Sequence, residues 1–233
     1  EAREHFHKLV DLYPDDPLKA RALFVMGRSY YWERQYGKCI DWLDRVSREF
    51  PGTKEGREGL AFKGACNVRL GRNAEAAKVY EQYTVMYPTG ERIDWAYLNM
   101  IDALREAGRY AEAQSWVDKA QVRFAGTPIE TNALHARIRM EIYRQRWPEA
   151  VAAADAMLGT VTFGGSMSSM DEVKFLKAFA LEKQGKRGDA TAVYSSIPSN
   201  AMSYYSGLAA DRLAANDSRV TPKDNGSYSS RVS

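Results

Sequence analysis

FPGT, residues 50–53, decides how this protein folds, because the sequence restates it. YPDD begins at Tyr13, YPTG at Tyr87 and FAGT at Phe124, so the four aromatics stand at one interval of 37 residues. Other columns keep the same interval. Gly27 and Gly64 are followed in register by Ile101 and Ile138. Cys39, Ala76, Ala113 and Ala150 form a column of small residues, and Leu43, Tyr80, Val117 and Ala154 form another. A repeat of this length marks supersecondary units that bury their apolar faces only by stacking on one another.

Within a unit the apolar spacing is that of two amphipathic helices. ALFVMGRSYYW (22–32) is a first helix. KCIDWLDRVSREF (38–50) is a second, with Cys39, Leu43, Val46 and Phe50 on one face. The links inside units are short (ERQYG, LGRN, AGRY, RQRW), so each pair packs antiparallel. The stretch between units is punctuation. Its aromatic closes the second helix, its proline cannot continue it, and the polar residue after that starts the next. Asp16 before Pro17 and Thr127 before Pro128 read as helix starts, and Thr127 with Glu130 fits a capping box.

Composition bounds the function. The protein has 233 residues, 45% hydrophobic and 27% charged, with a formal net charge of +3. That suits a globular core and gives no basic stripe for nucleic acid. No apolar run is long enough to span a membrane. The sequence opens at Glu1, already in a mid-helix pattern and without a signal peptide, and reads as a mature form or a piece of something longer. Cys39 and Cys66 sit in helical apolar patterns and read as free, buried small residues, although counting alone also allows one disulfide.

A search for chemistry finds little. His5 and His7 point to different helix faces, and His135 has no evident Cys or carboxylate partner in its helix. Phosphate-binding, zinc-protease, nucleophile-elbow and dinucleotide motifs do not occur. Asp41 and Asp44 read as exposed helix positions. The reading is therefore no catalytic residue, no metal and no cofactor. What remains is a surface, since first helices of stacked hairpins line a concave face. Its candidate binding residues are Phe24, Arg28, Tyr31, Trp32, Trp95, Asp102, Arg105, His135, Arg139 and Tyr143, with Ala65, Arg69, Leu98, Phe179 and Lys183 beside them. Aromatics next to arginines suit a peptide, a sugar or another part of the same protein. Packing between repeats is the competing account of the same aromatics.

These columns resemble the tetratricopeptide repeat. That pattern has a small residue within the first helix (Gly27, Gly64), small residues early in the second (Cys39, Ala76, Ala113, Ala150, Ala190) and a proline near the end (Pro14, Pro51, Pro88). The period exceeds the family's usual 34, and longer units of this kind are similar to those of bacterial cell-envelope proteins. The resemblance implies an all-α, right-handed α-α superhelix of about five hairpins. Units fall near 1–15, 16–52, 53–89, 90–126, 127–163 and 168–198, the last after a slip in GTVTFGGSMSSM (159–170). A capping helix is expected over 200–215, with a stripe of Met202, Tyr205, Leu208, Ala209 and Leu213, and a flexible polar tail over 216–233.

AMSYYSGLAADRL (201–213) adds a second resemblance, to the end of the superhelical, non-catalytic domain of bacterial soluble lytic transglycosylases. The Glu-Ser motif of that family's catalytic domain is absent, so only the scaffold is matched. This implies a periplasmic or envelope-associated scaffold in peptidoglycan metabolism. Its partner would be a catalytic domain of the same polypeptide, another protein, or peptidoglycan. The alternative is a repeat adaptor that holds a partner protein's peptide in envelope assembly.

Overall fold

The structure, a computed structural model, describes residues 2–13, 16–160, 163–200 and 203–220. Among them there are twelve helices and no strand. They are α1 (Ala2–Leu12), α2 (Lys19–Trp32), α3 (Tyr36–Glu49), α4 (Lys54–Arg69), α5 (Asn73–Met86), α6 (Ile93–Glu106), α7 (Tyr110–Arg123), α8 (Pro128–Tyr143), α9 (Trp147–Thr160), α10 (Met170–Lys183), α11 (Arg187–Ser195) and α12 (Tyr204–Val220). The fold divides into two compact units, Glu1–Ala136 and Arg137–Ser233. Pro14, Met202 and the tail over 221–233 lie outside the described residues.

The columns are the core. Gly27, Gly64, Ile101 and Ile138 are buried, as are Cys39, Ala76, Ala113 and Ala150. Leu43, Tyr80, Val117 and Ala154 have no exposure at all. The first and third columns trade volume within each hairpin. A Cβ on Gly27 would stand 2.5 Å from Leu43 Cδ2, and one on Gly64 would stand 2.3 Å from Tyr80 Cε1. Where the first column holds isoleucine, the third holds the smaller Val117 and Ala154. Close packing requires such exchange, because the two helices of a hairpin meet at fixed separation.

Each intra-unit link ends its helix in the same way. Arg34, Gly71, Gly108, Gln145 and Gly185 occupy the left-handed region, with φ of 60°, 70°, 73°, 57° and 78°. The amide of the next residue reaches back to the carbonyl five positions earlier, as in Gln35 to Tyr30, Arg72 to Asn67 and Arg109 to Leu104, and again in Arg146 to Glu141 and Lys186 to Leu181. That is the Schellman closure, which satisfies otherwise orphaned carbonyls. Between repeats, side chains cap α4 and α10, whereas α2 and α6 have no side-chain cap. Thr53 Oγ1 accepts from the Gly56 amide at 3.0 Å, and Ser169 accepts from Glu172.

Four expectations are corrected. Cys39 and Cys66 are not free: they form a disulfide joining α3 to α4, 27 residues apart in sequence and fully buried. Helix α2 starts at Lys19 rather than at Pro17, and Asp16 instead accepts from the Leu18 amide at 2.7 Å. Asp44 is not a bare surface position, since it pairs with Arg48 and, across the α3–α4 seam, with Lys63 at 2.6 Å. The Thr127–Glu130 pair works one residue early, with Glu130 accepting from the Gly126 amide.

In the second unit α10 packs on α9 and α11, and α12 lies on α10 and α11. Ala209 and Leu213 of α12 join Ala178, Leu181, Ala190 and Tyr194 in one cluster. The helix runs on through Asn216 to Val220.

Candidate functional site

In the first unit, α2 and α4 lie directly against each other. Column glycines fix what faces outward. Gly27 and Gly64 turn onto Leu43 and Tyr80, and beside them Phe24, Phe62 and Ala65 stay half-buried and Arg28 exposed on the flanks of α2 and α4. Phe24 and Phe62 meet edge to face at 6.0 Å, and Tyr31 stands on Phe62, Tyr36 and Trp32 at 6.2, 5.6 and 5.5 Å. Arg69 donates to the Tyr31 hydroxyl at 3.3 Å. Trp32, at the end of the row, is 71% exposed.

Three charged groups organise this face. The Arg28 guanidinium lies over Phe24 and Phe62 at 5.7 and 5.5 Å. Arg92, from the link before α6, covers Phe62 at 5.8 Å and grips Glu58 with two nitrogens at 3.0 to 3.2 Å. Between them is a cavity of about 280 Å³, lined by Phe24, Arg28, Lys54, Glu55, Glu58, Phe62 and Arg92.

The other candidates divide. Trp95 is half-buried and its ring meets Tyr80 edge-on at 5.4 Å, so its ring packs in the core seam. Asp102 and Arg105 pair on α6 at 3.3 Å, and Arg105 also reaches Glu106. His135 is half-buried on α8, and His7 stands edge-on to Trp42 at 4.9 Å. In the second unit Arg139 is exposed and its charge favours the ionised form of the Tyr205 phenol, while Tyr143 is 76% exposed. Phe179 there lies beneath Lys183 at 5.3 Å and Arg212 at 5.9 Å. Arg28, Tyr31 and Trp32 are thus brought together on one face with Phe24, whereas the Trp95 ring stands against Tyr80.

Phe62, Glu58, Lys54, Glu55 and Arg92 of the cavity were not legible as site residues. Arg92 enters from a connection, where helix-face spacing gives no signal. Phe62 is three positions before Ala65, a spacing that places it on the same face. Among the described residues, no three His, Cys, Asp or Glu side chains are grouped to hold a metal ion, and no helix is long and apolar enough to cross a membrane.

No protein-family model matches the sequence, and no curated protein matches it. Solved structures do match. BtubC (BKLC) from P. vanneervenii superposes with a TM-score of 0.60 at 12% identity, covering 100% of this protein and 95% of that one. A tetratricopeptide repeat protein from Parabacteroides merdae gives 0.58 at 13%, covering 93% and 79%. The PilW type IV pilus biogenesis factor gives 0.57 at 15%, covering 89% and 90%. At such identities the likeness concerns architecture alone. The fold is that of the tetratricopeptide-like α-solenoids.

Proposed function

We propose that the protein is a non-catalytic interaction module whose first unit offers the α2–α4 face to an extended segment of a partner protein. The observation that carries this reading is the state of Arg28. It is held over two aromatic rings beside a cavity, and no carboxylate among the described residues pairs with it. Trp32, exposed on the same helix, is the residue type that anchors interfaces. The solved relatives support an interaction role, as repeat proteins of this fold. A displayed library of random peptides, selected on the intact protein, tests it. Selection enriches sequences that Trp32→Ala and Arg28→Ala variants retain at least tenfold less well. No enrichment, or equal retention by the variants, refutes it.

A second reading is favoured by α12. YYSGLAADRLAA follows the repeats directly and packs back on α10 and α11. It supports the helical scaffold of a periplasmic lytic transglycosylase, with peptidoglycan or a catalytic domain of the same polypeptide as partner. The Cys39–Cys66 disulfide supports an oxidising compartment such as the periplasm or cell envelope. On this reading the protein sediments with purified murein sacculi and releases no anhydro-muropeptides. Absence of sedimentation removes peptidoglycan as partner. Thiol trapping in cells that finds Cys39 and Cys66 reduced removes the compartment.

A further inference from the structure

We infer that the Cys39–Cys66 disulfide is a redox latch on the α2–α4 face: intact, it holds the face assembled, and its reduction swings the end of α4 away from Tyr31. As regulation this rests on the interaction reading above; as a movement it stands on the contacts around the bond.

Tyr31 is the hub of the face, and three side chains hold it from outside α2. Tyr36 of α3 and Phe62 of α4 meet its ring at 5.6 and 6.2 Å, and Arg69 of α4 donates to its hydroxyl at 3.3 Å. Each stands about one helical turn from a cysteine: Tyr36 three positions before Cys39, Phe62 four before Cys66, and Arg69 three after it. Such spacings make them neighbours of the cysteines along their helices. Tyr31, Tyr36 and Phe62 all pack on the buried cluster that contains both cysteines.

The two ends of the α3–α4 seam are fastened differently. Near the start of α4, Gly59 lies so close to α3 that a Cβ there would stand 2.5 Å from Val46 Cγ1, and Lys63 pairs with Asp44 at 2.6 Å. Neither contact needs the sulfurs. Toward the other end the covalent bond ties Cys66 to Cys39. Reduction removes that tie and adds volume, because two thiols need the room of two non-bonded sulfurs. Neither cysteine has any exposure, so the added volume has no way out except by moving a helix. Held at Gly59, α4 tilts at its far end, which draws Arg69 off the Tyr31 hydroxyl and loosens Phe62 from the ring.

A dithiol supplies the two electrons. Its thiolate attacks one cysteine sulfur and releases the other, and its second thiol then displaces the first cysteine. The reductant ends as a disulfide, and its two protons end on Cys39 and Cys66. Both sulfurs are buried, so attack waits for the seam to open locally. A partner segment that bridges α2 and α4 disfavours reduction by the factor by which reduction weakens its binding.

The intact ¹⁵N-labelled protein is reduced with dithiothreitol in urea and refolded in the same reductant, and alkylation with mass measurement verifies that both thiols are free. It is compared with the oxidised protein through the arginine Nε–H signal that Arg69→Lys removes. In the reduced protein that signal shifts or broadens away, while the amide signals of α10 and α11 are unchanged. An unchanged Arg69 signal with both thiols free overturns the latch. Loss of the α10 and α11 amides together with those of α4 also overturns it, since the bond is then a staple for the whole fold. Peptides enriched on the oxidised protein separate the two readings. If the Arg69 signal is lost and they bind the reduced protein at least about tenfold less well, both readings stand. If it is lost and they bind equally, the latch stands and the interaction reading of this face falls. If it is retained, the latch falls and the face is judged by its own variants. With no enriched peptide the interaction reading falls, and the Arg69 signal still decides the latch.

Discussion

Between α3 and α4 the first unit is joined by a buried disulfide and by an apolar seam of Leu43, Val46 and Cys66. Between α10 and α12 the second unit is joined by phenols and hydroxyls that find carboxylates. Tyr205 donates to Glu172 at 2.7 Å, Ser203 to Asp171 at 3.4 Å, and Arg212 pairs with Glu182 at 3.3 Å. On α11, Tyr194 donates to the same Glu182 at 3.1 Å. The difference follows from register. Helices α3 and α4 belong to the 37-residue repeat, whose contact columns are small, so backbones approach closely enough for two cysteine sulfurs to meet. Helix α12 stands outside the repeat and brings Tyr205 to the seam, where its half-buried phenol finds an acceptor in Glu172.

The sharpest way to break this contrast is to remove the covalent link. Alanine already occupies the Cys39 column in three further repeats, so Cys39→Ala with Cys66→Ala removes the bond at small packing cost. A closed loop of this length contributes about 3 kcal/mol by constraining the unfolded state. The variant loses about that much in urea unfolding, and hydrogen exchange shows the lost protection in α3 and α4. A loss under about 1 kcal/mol would mean that the apolar seam alone holds the two helices.

Next in size is the volume exchange at Gly64. A methyl group there collides with the fully buried Tyr80 ring, so Gly64→Ala destabilises by about 2 kcal/mol. Tyr80→Val opens the space that the methyl group needs, so the two changes together cost less than the sum of their separate losses, which a double-mutant cycle reads as a non-additive term. Strict additivity would show that the columns do not compensate.

Much of this was legible in the sequence, and the exceptions share a cause. The period, the helix pairs and the column residues are local patterns, and they suffice for the solenoid. The disulfide is different. Cys39 occupies a column where alanine serves elsewhere, so it reads as packing, and its partner lies in the next repeat, where only stacking brings it near. The cavity escaped for the same reason, since Arg92 and Glu58 meet across repeats. The turn column was hidden by chemistry: glycine marks it at 71, 108 and 185, but Arg34 and Gln145 hold the same conformation.

Those two turns give a smaller test, one in each unit. A non-glycine residue at positive φ carries strain of about 1 kcal/mol, partly offset because glycine loses more entropy on folding. Arg34→Gly and Gln145→Gly should each therefore stabilise by about 0.5 kcal/mol in chemical denaturation. Destabilisation by either would mean that the contacts of the replaced residue outweigh the strain of its backbone.

The smallest effects come from pH, and the two seams respond at opposite ends. Burial alone would raise the Asp44 carboxyl, but hydrogen bonding and charge from Lys63, with Arg48, outweigh it and hold it below its ordinary value. A lowered carboxylate contributes stability above its unfolded value of about 3.9, and that stability is lost as pH falls through the folded value. The pair is partly exposed, so solvent limits its contribution to well under about 1 kcal/mol. Tyr205 runs the other way. Burial first, then its hydrogen bond to Glu172, pushes the phenol up to about 12. The neutral phenol is the native form, so its contribution is complete below an unfolded value of about 10 and disappears as pH rises toward about 12. Burial also pushes Tyr80 and Tyr194 up, so the alkaline limb is shared, and the informative quantity is the difference between variant and wild type. In urea midpoints followed by circular dichroism, Asp44→Asn flattens only the acid limb and Tyr205→Phe flattens part of the alkaline limb alone. If Tyr205→Phe leaves the alkaline limb unchanged, the α10–α12 seam is held by the Phe175 and Tyr205 ring contact at 5.7 Å rather than by the phenol's proton.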